Sequence, residues 1–169
     1  MNFYHETILQ MRHSLSNLQK FIVRAEEHAA TLKFEPENYL GMRLYPNMLP
    51  FSAQLRIAGD TAKFAAAYLA GKTPPVHEDN EKTLAEYKAR LANVIDYLGS
   101  FNAADFEGAA KRKVSPASFK GKHMTGHDYL VRRQVPNFYF HVVTAYDLLR
   151  HGGVSIGKAD YLGELPLRD

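Results

Sequence analysis

The sequence predicts an all-α protein, a four-helix bundle, and three observations carry that reading. Apolar residues recur at helical spacing in four separate stretches, and the last three of these end at glycine. Only one short segment alternates in the manner of a strand. With 169 residues, 46% of them hydrophobic, the chain can bury one core without disulfides or a structural metal, so a single domain over 1–169 is expected.

The first helix is expected over about 7–30, where Ile8, Leu15, Ile22 and Ala29 form one row and Met11, Leu18 and Ala25 a second. The two rows make one seam facing the bundle. The second helix follows Pro46 and Pro50, tolerated at a helix entrance because first-turn amides need no internal partner. Its stripe is Phe51, Leu55, Ala58, Ala62, Ala65 and Leu69, and Gly71 with Pro74 and Pro75 ends it. The third stripe, Leu84, Tyr87, Leu91, Val94, Ile95 and Leu98, is expected to start after an acidic first turn at Glu78, Asp79 and Glu81, which suits the positive end of a helix dipole, and to close at Gly99.

The fourth helix is expected from about Asp128 to Arg150, with Leu130, Phe138, Ala145, Leu148 and Leu149 inward. Pro136 should bend or restart it, and Gly152-Gly153 should stop it. Between the third and fourth helices, 114–124 predicts a short hairpin or ordered loop. Two connections read as short and one as long, which favours an antiparallel bundle with one crossover.

Composition limits the chemistry. There is no cysteine, which excludes a disulfide framework, a zinc–thiolate site and a cysteine nucleophile. No leader-like start and no run of about 20 apolar residues is visible, so a cytoplasmic protein without a membrane partner is expected. No Gly-rich phosphate loop, nucleophile elbow or His-Glu-x-x-His helix is present. The net charge of +3 is unevenly placed: 108–135 holds Lys111, Arg112, Lys113, Lys120, Lys122, Arg132 and Arg133 against Asp128 alone. Nucleic-acid binding is not expected from it, because no arginine-rich helix or aromatic stacking motif accompanies the charges.

The candidate site residues lie on the inner faces of the second and fourth helices. His141 follows Phe138 by three residues and precedes Ala145 by four, so it points near the core seam; Asn137 and Thr144 share that face. Gln54 is similarly placed between Phe51 and Leu55. A polar pair at i, i+4 on a bundle helix can serve a metal or a proton transfer, or can be a buried imidazole satisfied by Gln54 or Tyr139. Arg43, in the proline-bracketed entry to the second helix, is a candidate anion clamp, and Tyr146 a further pocket candidate. His5, His13 and His28 lack an i, i+4 mate; His123 and His127 lie in the basic loop; His151 suits the end of a helix.

At Arg43-Leu44-Tyr45-Pro46-Asn47-Met48-Leu49-Pro50, Pro136 to His141, Thr144-Ala145-Tyr146 and Arg150-His151 to Gly163, the chain resembles a bacterial family of DinB-like proteins of unknown function, within the DinB/YfiT helical-bundle superfamily. The resemblance runs from Tyr4 to Gly163. It implies an up-down-down-up four-helix bundle, often homodimeric, whose relatives include metal-dependent thiol transferases. Those relatives hold a divalent metal with one histidine from the second helix and a His-x-x-x-His pair from the fourth. The resemblance places Gln54 near the first of these, Asn137 at the second and His141 at the third, so one imidazole of three is retained. No cofactor is expected; a zinc or nickel ion, if bound, would rest on His141.

Two functions are therefore expected: a small-molecule-binding or transferase-like pocket with a degraded metal site, or a non-enzymatic dimeric interaction module. The exposed-looking aromatics Phe3, Tyr4 and Tyr39 favour a homodimer.

Overall fold

Four apolar stripes become four long helices in the computed structural model, which describes residues 1–168. Helix α1 spans Phe3–Leu32, α2 Phe51–Leu69 and α3 Leu84–Gly99. The fourth bundle helix is continuous but composite: α4, Gly126–Asp128, runs through a π-helical turn, Tyr129–Gln134, into α5, Val135–His151. A last short helix, α6, covers Lys158–Leu162. Every residue of the α1 and α2 stripes is fully buried, as are Leu130, Phe138, Ala145, Leu148 and Leu149.

The ends are set by local chemistry. Asn2 caps α1 by accepting the Tyr4 and His5 amides. Thr83 and Glu86 form a reciprocal capping box on α3. Gly153, at φ +91°, takes the left-handed conformation that stops α5. Pro136 does restart its helix: lacking an N–H for the carbonyl one turn back, it sits in the first turn of α5, and the π-helical turn before it absorbs the mismatch. The expected hairpin is minimal, β1 (Lys113–Val114) pairing antiparallel with β2 (Met124–Thr125).

Side-chain bonds fix the up-down-down-up order. Arg12 and Gln19 on α1 donate to the Ile95 and Lys88 carbonyls, so α1 and α3 are antiparallel. His28, late in α1, lies against Gly153 past α5, while Tyr4 bonds His127 in α4, so those two helices are parallel. Helices α2 and α3 are also parallel: Arg56 pairs with Asp79 ahead of α3, and Lys72, just past α2, pairs with Asp105 beyond α3. The 70–83 connection must therefore return along the length of α2, and Pro74 and Pro75 keep it extended.

Three expectations need correction. None of the three connections is short: 33–50, 70–83 and 100–125 all carry ordered turns or a crossover. Glu78, Asp79 and Glu81 lie before α3 in the returning segment rather than in its first turn, because the capping box starts the helix at Leu84. Tyr39 is not exposed; it is 2% accessible and shares a 2.5 Å hydrogen bond with His28 Nδ1. Phe3 is exposed and Tyr4 half-buried.

Candidate functional site: the α2–α5 polar ladder

Helices α2 and α5 run antiparallel and pack closely, and polar side chains join them in successive rungs. At one level the Gln54 Oε1 atom lies 2.7 Å from His141 Nδ1. Two turns along α2, Asn137 Nδ2 donates to Thr61 Oγ1 at 2.8 Å, and Gln134 Nε2 donates to the Thr61 carbonyl at 3.0 Å. The rising numbers on α2 meet falling numbers on α5, as an antiparallel pair with residues seven apart on each helix requires. Gln54, Thr61, Gln134 and His141 are all buried, so each rung satisfies groups that would otherwise lose water without replacement.

The first rung also fixes a tautomer. Gln54 Nε2 donates to the Leu49 carbonyl at 2.9 Å, which turns Oε1 toward the imidazole as an acceptor. His141 Nδ1 must then carry the proton, leaving the lone pair on Nε2. Burial pushes the His141 pKa below its ordinary value, so the ring is neutral at pH 7.

Of the five candidate residues, Gln54 and His141 touch, and Asn137 is the next rung on the same interface. The other two are elsewhere. Arg43 is exposed and donates to the Met48 carbonyl of its own loop. Tyr146 is five residues beyond His141, which turns it about 140° around the helix; its ring packs on Phe21 and Tyr161, with centroids 5.9 and 6.0 Å away.

The donor set does not fit a transition-metal ion. It consists of one imidazole and two amides, and both amides are engaged with protein partners. Among the described residues no group of three His, Cys, Asp or Glu is placed to hold a metal.

A second polar centre escaped the sequence reading. Arg90, 4% exposed, binds both oxygens of Asp60 at 3.0 and 3.1 Å, and its Nη1 lies 2.7 Å from both Asp79 and Glu81. Lys63, 2% exposed, reaches Asp60 at 2.8 Å and His77 Nδ1 at 3.0 Å. Burial, then the Lys63 and Arg90 charges, pushes the His77 pKa down. The one signal available was a lysine and an arginine on otherwise apolar helix faces. Their acidic partners come from the crossover, whose path the periodicity of the helices does not encode.

With this geometry established, two comparisons place the chain. Residues 3–162 match the family described as Domain of unknown function (DUF1993). The chain belongs to that family. A crystal structure of a DinB family member protein from Shewanella denitrificans is 40% identical to this DUF1993 chain, superimposes with a TM-score of 0.93, and covers 98% of this chain and 94% of its own. No functionally curated protein matches. The DinB-like bundle expected from the sequence is thus the fold of this DUF1993 protein. Among its described residues no helix is long and apolar enough to cross a membrane.

Proposed function

We propose that this protein is a DinB-like binding protein in which the ancestral metal position has become a structural lock. The observation that carries the reading is the Gln54–His141 bond at 2.7 Å with the Gln54 amide tied back to Leu49. A catalytic metal site keeps an open coordination position and convergent imidazole or carboxylate donors; here the side chains are turned onto one another. The lock joins the entry of α2 to the middle of α5 and rigidifies the bundle around which binding surfaces are displayed.

The test is restoration. Gln54→His with Asn137→His recreates three imidazoles at these positions and is expected to acquire one equivalent of zinc or nickel, while the unmodified protein dialysed against the same metal retains none. One equivalent held by the unmodified protein and lost in His141→Gln would overturn the reading.

A transferase-like or small-molecule pocket at His141 is the second reading, favoured by one observation: the neutral ring has its lone pair on Nε2, the form a general base requires. Its test is a ¹⁵N-resolved imidazole spectrum during titration with small thiols and carboxylic acids. A saturable shift at Nε2 supports it, and an inert Nε2 refutes it.

A further inference from the structure

The end of the bundle where α2 hands over to the crossover holds a cavity of about 440 Å³ that the ladder does not touch. Its charged lining is all of one sign: Lys72 from the end of α2, and Arg112 and Lys113 from the chain entering β1. Tyr68, Pro74 and Val114 give it an apolar wall. We propose that this cleft binds a phosphate monoester of a small organic molecule, the phosphate held by Arg112 and Lys113 and the organic body against Tyr68.

Arg112 is built into this end of the bundle rather than waving in solvent. Its Nη2 donates to the Glu107 carbonyl at 3.0 Å, which aims the guanidinium fork across the end of α2. The fork lies on Gly71, where an added Cβ would collide with Nη1, and Gly71 has φ +70°, so the backbone there is shaped for a residue with no side chain. Arg112 lines the cavity with a guanidinium, the group best suited to grip an oxyanion by two parallel bonds.

The neighbouring charges do not cancel this field. Lys72 is neutralised by Asp105 at 2.7 Å and lies over the Phe101 ring, so it sets the wall more than the charge. Asp128, the only acid of the 108–135 segment, is taken by Arg132 at 2.9 Å. Capping the negative end of α2 does not need Arg112 either: the amides of Ala70, Gly71 and Lys72 already bond the Ala66, Tyr68 and Ala67 carbonyls. The size selects the ligand class. A free phosphate fills a small part of 440 Å³, whereas small-molecule sites span about 300–1,000 Å³. A concave cleft with an aromatic wall suits an organic monoester better than a nucleic-acid backbone, which would follow the exposed lysines instead.

The experiment is an amide-resolved NMR titration of the full chain with phenyl phosphate, inorganic phosphate and phenol. The expected result is saturable shifts at Gly71, Lys113 and Ser115 with phenyl phosphate, about tenfold weaker binding of inorganic phosphate, and none of phenol. Arg112→Gln and the exposed Lys113→Ala are each expected to weaken phenyl phosphate about tenfold, while Lys122→Gln leaves it unchanged. A thermal melt confirms that each variant is folded, and Lys113→Ala carries the test if Arg112→Gln is not. The proposal fails if no monoester saturates by about 10 mM. It also fails if Lys122→Gln weakens binding as much as Lys113→Ala, the mark of a diffuse basic patch that serves nucleic acid. Either failure leaves the metal-restoration test of the ladder untouched.

Discussion

Replacing Arg90 by methionine removes the charge that holds the 70–83 crossover against the bundle while keeping most of the side chain's length. In the folded protein Arg90 is 4% exposed and answers three carboxylates, Asp60, Asp79 and Glu81, at 2.7 to 3.1 Å. Without it, Asp60 keeps Lys63 and Asp79 keeps the exposed Arg56, but Glu81, only 12% accessible, has no remaining cation among these contacts. Stranding a largely buried charge costs about 3–5 kcal/mol, and at about 2–4 °C per kcal/mol for a chain of this size the melting temperature should fall by about 10 °C. Arg56→Ala is the control: its pair with Asp79 is 37% and 42% exposed, and it should cost about 0–1 kcal/mol. Denaturant unfolding at pH 7 and at pH 3 measures both. Burial alone would raise the Asp79 pKa, but the hydrogen bond and charge of Arg90, with Arg56 and Lys63, hold it below the ordinary carboxylate value. A carboxylate depressed in this way stabilises the fold above its unfolded pKa and loses that contribution as pH falls through the folded value. The Arg90→Met deficit should therefore shrink at pH 3. A deficit under about 1 kcal/mol at pH 7 would refute the view that this network pins the crossover.

Three further outcomes are expected elsewhere in the molecule. Gly126→Ala places a Cβ 2.0 Å from the Ala109 carbonyl oxygen, a backbone atom that cannot step aside, and should destabilise by about 1–3 kcal/mol in urea titration. His77 and His141 both have pKa values lowered by burial, so the unfolded chain binds protons more readily; thermal stability should be full above about pH 6.5 and decline below it, and His77→Gln with His141→Gln should flatten that slope. Phe140 and Val143 leave 57% and 40% of their surface exposed on the outer face of α5, and a homodimer is expected at that face. Light scattering should give twice the 19.1 kDa chain mass, and Phe140→Asp should halve it.

The amino-acid sequence encodes the four helices legibly, because burial of a helix face writes a period near 3.6 into the chain wherever a seam exists, and α1, from Ile8 to Ala29, shows it without interruption. It also determined Gln54 and His141 as inward polar residues, since a polar side chain within an apolar stripe shares the stripe's direction. Tertiary structure alone decided what those residues meet. Gln54 and His141 are 87 positions apart, and only the antiparallel register of α2 on α5 brings them to 2.7 Å. Arg43 and Tyr146 show the limit from the other side: each lies near the right element in sequence, but a loop carbonyl takes the first and a five-residue step around α5 turns the second toward α1. The charged network is the furthest from sequence. Asp79 and Glu81 read equally well as the acidic start of α3, and the returning path of 70–83 makes them partners of Arg90 instead. Periodicity records which face of an element is buried, a local property; partners across elements depend on how connections route, and a proline-rich extended segment carries no period from which that route could be read.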